Sequence, residues 1–224
     1  LLECAFIGNT ISLKNIFQHF QHQNDGSVLE KDITQALWRC IVSSVSNGKQ
    51  ETWKWLQKEI NAKNSTTNSI WLQQSPAILI ACLKSKNDSV TIDVIEHMKQ
   101  VWLLNVQEQT EKAIEMNDNK KRQQVQQEYK QMLLNVTNIF VNACRCGKRA
   151  VAATCIDQFP EIFDDSVVFT ASSTTIDVKN DPCQRNLLHW CALHDMSETM
   201  NVLLNTTLFQ HNPETTDVAG YTPL

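Results

Sequence analysis

A chain of 224 residues, 42% of them hydrophobic, carries enough apolar surface for one or two compact domains or one elongated repeat array. Five Gly and five Pro are too few for a sandwich or barrel built on many tight turns, so the composition points to helix. A net charge of -4 supplies no basic field for direct binding of nucleic acid, and no apolar run approaches the ~20 residues needed for membrane insertion.

The first residues, Leu1-Leu2-Glu3-Cys4, show neither an initiator Met nor the basic start of a signal peptide. Both ends fall inside apparent motifs, as expected of an excerpt from a longer protein. The eight cysteines form no CxxC pair, and most sit in apolar helical patterns, where a thiol acts as a small hydrophobe. Reduced cysteines in the cytoplasm, or in the nucleus, are the expectation. Sequons at Asn64, Asn87, Asn135 and Asn205 point the other way, but such triplets arise by chance in an Asn-rich chain.

In chain order, the spacing predicts a helix pair over Thr34–Val45 and Gln50–Ile60, joined at Ser46-Asn47-Gly48. Ser75-Pro76 is read as the opening of a helix that runs to Leu83, with a second over Val90–Val101. Val125, Tyr129, Met132, Leu133 and Val136 recur at helical spacing, and Asn117-Asp118-Asn119 suits a turn. Two readings therefore stand for this region: extended antiparallel helices over 90–116 and 120–145, or a disordered Gln/Lys-rich loop over 107–124. The Ser/Thr-rich stretch Phe163–Val178 reads as a long loop, and Ser197–Leu204 as a helix with Met200, Val202, Leu203 and Leu204 on its apolar face. Trp38, Trp53, Trp55 and Trp190 are expected to fill the core.

The C-terminal string Asp217-Val-Ala-Gly220-Tyr-Thr222-Pro223-Leu224 has a physical logic. Asp and Gly shape a tight turn, Thr caps a helix, and Pro sits in its first turn, where no N–H is needed. The string resembles the opening of an ankyrin repeat. Asn186-Leu-Leu188-His189-Trp190-Cys191-Ala192 resembles the next part of that motif, with Asp181 preceding Asn186 as Asp217 precedes Thr222. Positions 186 and 222 lie 36 apart, against about 33 for a regular unit. Phe140, Ala143-Cys144, Gly147, Val151 and Ile156 match the same skeleton 48 positions earlier, and so do Leu1, Cys4-Ala5, Gly8, Leu13 and Ile16-Phe17 at the N-terminus.

The resemblance implies an all-α ankyrin-type helix–turn–helix solenoid with short β-hairpin turns and long insertions, a single array over 1–224. Its units would be 1–25, 32–62, 72–104, 136–160 and 181–208, with another starting at 217–224. Insertions would occupy 105–135 and 163–180. The Cys/Ala pairs would let neighbouring inner helices approach. His189 would be the motif histidine, whose ring bonds backbone and ties neighbouring units.

The resemblance further implies a non-catalytic scaffold that recruits another protein within a larger trafficking or signalling regulator. A module of a transcription-factor complex and an accessory region of an enzyme are the alternatives. The contact residues it implies are Leu193 and His194, Arg145 and Cys146, with Arg185, Val218 and Tyr221 at the turns; Phe6 and Ile7 hold the variable positions of the first unit. No cofactor is expected. A metal site on His189, His194, Cys183 and Cys191 fits no zinc spacing, and no phosphate loop, nucleophile elbow or H-E-x-x-H string occurs. Lys120-Lys121-Arg122 reads as a solvated turn.

Overall fold

The computed structural model describes residues 1–23, 27–63, 67–115, 119–163, 183, 185–205 and 213–223. They form ten α-helices and one short 3-10 helix, and no strand occurs among the described residues. The helices are α1 Leu2–Ile7, α2 Thr10–Gln23, α3 Ser27–Ser46, α4 Gln50–Lys63, α5 Thr67–Lys84, α6 Asp88–Glu115, α7 Asn119–Arg145, α8 Arg149–Gln158, α9 Leu187–Leu193 and α10 Ser197–Asn205. The 3-10 helix spans Pro160–Phe163. The chain divides into two compact units, Leu1–Gln109 and Thr110–Leu224.

One local device recurs in both units. A first helix ends in a residue with left-handed backbone, and a second helix starts at once. Gly8, Gly48 and Gly147 hold this position with φ of 86°, 64° and 67°, and Asp195 holds it at 52°. In each case the next backbone N–H reaches five residues back: Asn9 to the Cys4 carbonyl, Lys49 to Ser44, Lys148 to Ala143, and Met196 to Cys191. These bonds satisfy the carbonyls that every helix C-terminus leaves open, and the left-handed residue reverses the chain. The acceptors align Cys4-Ala5, Ala143-Cys144 and Cys191-Ala192, and they add Ser44-Val45, a pair with no visible motif around it. The Ser85 N–H reaches three residues back to the Cys82 carbonyl, as Gly48 does to Val45 and Gly147 to Cys144, which aligns Ala81-Cys82 with the pairs without a left-handed residue.

In the first unit, α1 packs on α3 and α3 on α5, so the first helices of successive pairs are neighbours. Ala5, Ser44, Val45, Ala81 and Cys82 are all buried, and their small volume lets those helices meet. The second helices are linked by side chains: Thr10 to Thr52 through their hydroxyls at 2.8 Å, Gln50 Nε2 to Asp93 Oδ2 at 2.9 Å, and Gln57 Nε2 to His97 Nδ1 at 2.8 Å. Between the rows lies an aromatic core. Trp38, Trp53 and His97 each meet Trp71 edge-to-face, with centroids 4.7, 5.8 and 4.5 Å away.

That core explains a difference from the sequence reading. Pro76 does not open its helix but lies inside α5, which starts at Thr67. Extending the helix upstream costs one backbone bond, because Pro offers no N–H to the preceding turn. It places Trp71 in full burial, with its indole Nε1 donating to Asn61 Oδ1 at 2.9 Å. Burial of so large a ring outweighs the local preference of the Ser75-Pro76 step.

In the second unit α7 packs on α8 and on α9, α9 on α10, and α10 on α8. The periodicity read in α7 holds: Met132, Leu133 and Val136 are buried, and Val125 and Tyr129 are half-buried. The Tyr129 phenol is pushed up by burial and by its hydrogen bond to the Glu161 carboxylate, which fastens α7 to the 3-10 helix. Helix covers 107–115 and 119–124, so the extended-helix reading of this stretch replaces the loop. The expected loop at 163–178 lies, beyond Phe163, outside the described residues, as does Asp181.

The small-hydrophobe reading of the cysteines holds for Cys40, Cys82, Cys144, Cys155 and Cys191, all buried. Burial pushes the Cys155 thiol up to about 12 and that of Cys40 upward, so neither offers a thiolate near neutral pH. Trp38 and Trp53 are core residues as expected, but Trp55 and Trp190 are half-buried. No described helix is long and apolar enough to cross a membrane.

Candidate partner-binding face

In the second unit, Asn186 caps α9: its Oδ1 accepts from the His189 backbone N–H at 3.0 Å, and the Asn186 N–H reaches back to His189 Nδ1 at 3.3 Å. His189 Nε2 faces the Tyr221 carbonyl at 3.0 Å. A carbonyl only accepts, so Nε2 donates and the ring bridges α9 to the Asp217–Gly220 turn. This is the backbone tie expected of His189, and with both ring nitrogens engaged it is not placed as a metal ligand.

The turn is closed by its first residue. Asp217 Oδ1 accepts from the N–H groups of Ala219 at 2.9 Å and Tyr221 at 3.0 Å, and Gly220 turns at φ 84°. Those bonds, led by Tyr221's and joined by Arg185, hold the Asp217 carboxyl below its ordinary range. The expected β-hairpin does not form among the described residues. Two backbone bonds, Asp217 N–H to the Tyr221 carbonyl and Val218 N–H to the Cys183 carbonyl, do not make a ladder.

Four of the seven expected contact residues gather near Trp190 and the α7–α8 turn. The guanidinium of Arg145, at the end of α7, lies 6.0 Å from the Trp190 ring centre, and that of Arg185 lies 5.3 Å from it. The His194 ring stacks on Trp190 at 6.2 Å, only 13° from parallel. His194 Nε2 donates to the Arg145 carbonyl at 3.0 Å. Cys146 follows Arg145 and is exposed, with its thiol 3.8 Å from Asn142 Oδ1. Arg185 also pairs with Asp217 at 3.4 Å.

The other three residues are exposed and apolar or aromatic. Leu193 is 57% exposed, Val218 64% and Tyr221 71%. Leu193 stands one helical turn beyond His189, whose ring holds the Tyr221 backbone.

His194 differs from its sequence reading as a variable contact position. It is half-buried, and the ring sits so close to Gly147 that a Cβ there would lie 2.7 Å from His194 Nδ1. Arg149 wraps the end of the same helix, donating from Nη2 to the His194 carbonyl at 2.6 Å and from Nε at 3.1 Å. His194 is thus a tie between α7 and α9. Sequence reasoning also missed Trp190 as the hub of the face. Its signal was available: Arg185, Trp190 and His194 fall at spacings of five and four around one short helix.

Elsewhere in this unit, an open groove of about 420 Å³ is lined by Ala153, Ile156 and Asp157 of α8, Glu198 and Val202 of α10, and Asp195 between α9 and α10. Among the described residues no group of three His, Cys, Asp or Glu side chains is placed to hold a metal ion.

The fold and this face define a class: an all-helical protein built from helix–turn–helix pairs, with an exposed face of mixed aromatic, cationic and apolar character. No family model, curated protein or solved structure matches the chain.

Proposed function

We propose that this chain is a protein-binding module, an ankyrin-type solenoid of stacked helix pairs that recruits a partner through the face around Trp190. The observation that carries the reading is the contrast in that face between fixed backbone and projecting side chains. His189 and His194 spend their ring nitrogens on the Tyr221 and Arg145 carbonyls, so the frame is rigid. Leu193, Val218 and Tyr221 project into solvent from that frame. Rigid presentation of large apolar and aromatic groups lowers the entropy lost on binding, which is how an interface gains affinity from few residues.

The ankyrin assignment rests on the repeated turn with its small-residue pair and on the Asn186-to-His189 capping box. The module acts as part of a larger trafficking or signalling regulator, in the cytoplasm or nucleus, without catalysis of its own. The test is site-specific photo-crosslinking in cells, with the reactive residue at Leu193 or Tyr221 and, as a control, at Asp157 on α8. The same protein should be captured from Leu193 and Tyr221 and not from Asp157. Capture from Asp157 alone overturns the proposed face.

A further inference from the structure

The cations of this face are not equivalent. Arg185 pairs with Asp217, and Arg149 with Asp195 and the His194 carbonyl. The guanidinium of Arg145 has no carboxylate within 4.0 Å among the described residues, and it lies by the indole of Trp190. A guanidinium near an aromatic face is attracted by the ring, and its planar N–H groups form a fork of donors. That fork fits a carboxylate. Leu193 and Tyr221 in the same unit are exposed, and the Asp217 carboxylate is buried and engaged by Arg185.

We infer that the occupant of this face is an acidic segment of a partner protein, with a Glu or Asp side chain on Arg145 and a neighbouring apolar side chain against Leu193 and Tyr221. This inference rests on the binding-face reading and adds the chemistry of the partner. Arg145 selects for charge, and exposed Leu193 and Tyr221 supply apolar contact. The backbone carbonyl of Arg145, not its side chain, holds His194, so Arg145→Gln keeps that tie.

The experiment uses the full chain with labelled synthetic peptides carrying a Glu-Glu-Leu-Phe core in a Gly-Ser background. Matched peptides carry Gln-Gln-Leu-Phe or Lys-Lys-Leu-Phe. Binding is read by fluorescence anisotropy, and its location by the indole N–H resonance of Trp190, assigned with Trp190→Phe. The Glu peptide should shift that resonance and weaken with added salt. It should lose roughly tenfold in affinity with Arg145→Gln and lose almost nothing with Lys58→Gln, which removes an exposed cation of α4 in the first unit.

Equal binding of the Gln peptide overturns the inference and leaves the binding face standing. Preference for the Lys peptide, or no binding of any peptide, also overturns it. Binding that leaves the Trp190 resonance unmoved overturns the assigned place, whereas failure of crosslinking at Leu193 and Tyr221 removes the face itself. Should Arg145→Gln unfold, the Glu-against-Gln comparison and the salt dependence on the wild-type chain decide the matter.

Discussion

His97 makes the first unit sensitive to acid, and the size of the effect follows from its surroundings. The ring is 8% exposed, lies edge-on to Trp53 and Trp71, and meets the Gln57 amide at Nδ1. Burial alone pulls its pKa from 6.5 down to about 4. Asp93, one turn earlier on α6, is engaged by Lys54 at 3.3 Å and by Gln50. A lowered histidine pKa means that the unfolded chain takes up the proton before the folded one does. Stability is therefore whole above pH 6.5, falls as pH drops towards 4, and is flat in this term below that. At about 1.4 kcal/mol for each tenfold difference in proton affinity, the loss across this window is about 3 kcal/mol.

The assay is urea unfolding followed by tryptophan fluorescence between pH 7 and 4, since Trp38, Trp53, Trp55, Trp71 and Trp102 all lie in the first unit. His97→Gln keeps an acceptor for Gln57 and removes the titration. Its baseline stability will be lower, so the slopes with pH are compared and not the levels. The wild-type chain should lose about 3 kcal/mol more than the variant over this window. Equal slopes, or a native-state His97 resonance that titrates near 6.5, would refute the reasoning.

Four further outcomes are expected. Gly147→Ala combines a φ of 67° with a Cβ 2.7 Å from His194 Nδ1, and should lower the stability of the second unit by about 1–3 kcal/mol in calorimetry. Asp195→Gly should do the reverse, raising the melting temperature through a gain of up to about 1 kcal/mol, because a non-glycine residue there is strained and its pair with Arg149 is exposed. Brief alkylation of the native chain, read by peptide mass spectrometry, should label Cys146 first and Cys155 only on unfolding. Asp217→Asn should weaken the turn at neutral pH yet differ little from the wild type at strongly acid pH. The depressed carboxyl stabilises the fold above its ordinary range and loses that effect as pH falls through the folded value, which urea titrations across that range would show.

The all-helical class, the helix pair around Gly48 and the long helices flanking residue 117 were legible because each rests on a local signal. Few turn-formers, a Gly in a polar gap and apolar residues at helical spacing act within one or two turns of chain. The misreading of Pro76 has the opposite origin. Pro announces a helix start when only neighbours are considered, but Trp71 is worth more buried against Trp38 and Trp53 than the lost backbone bond is worth. The pairs Ser44-Val45 and Ala81-Cys82 were hidden for a related reason. What fixes them is the carbonyl that accepts the turn's N–H, and a backbone acceptor leaves no mark on residue type.

The face around Trp190 was half legible, and the division follows the kind of bond involved. His189 could be assigned because its capping partner Asn186 lies three residues away, within the same helix start. His194 could not, since the Arg145 carbonyl it holds is 49 positions distant and any residue there would offer the same carbonyl. The consequence separates two histidines that look alike on one short helix. Replacing His189 should disturb the Asp217 turn and the Tyr221 backbone, whereas replacing His194 should loosen the α7–α9 contact. If amide exchange in His194→Ala quickens around residues 143–149 while residues 217–221 keep their protection, the two ties are independent. Then the Trp190 surface is held from two sides, as the proposed recruiting face requires.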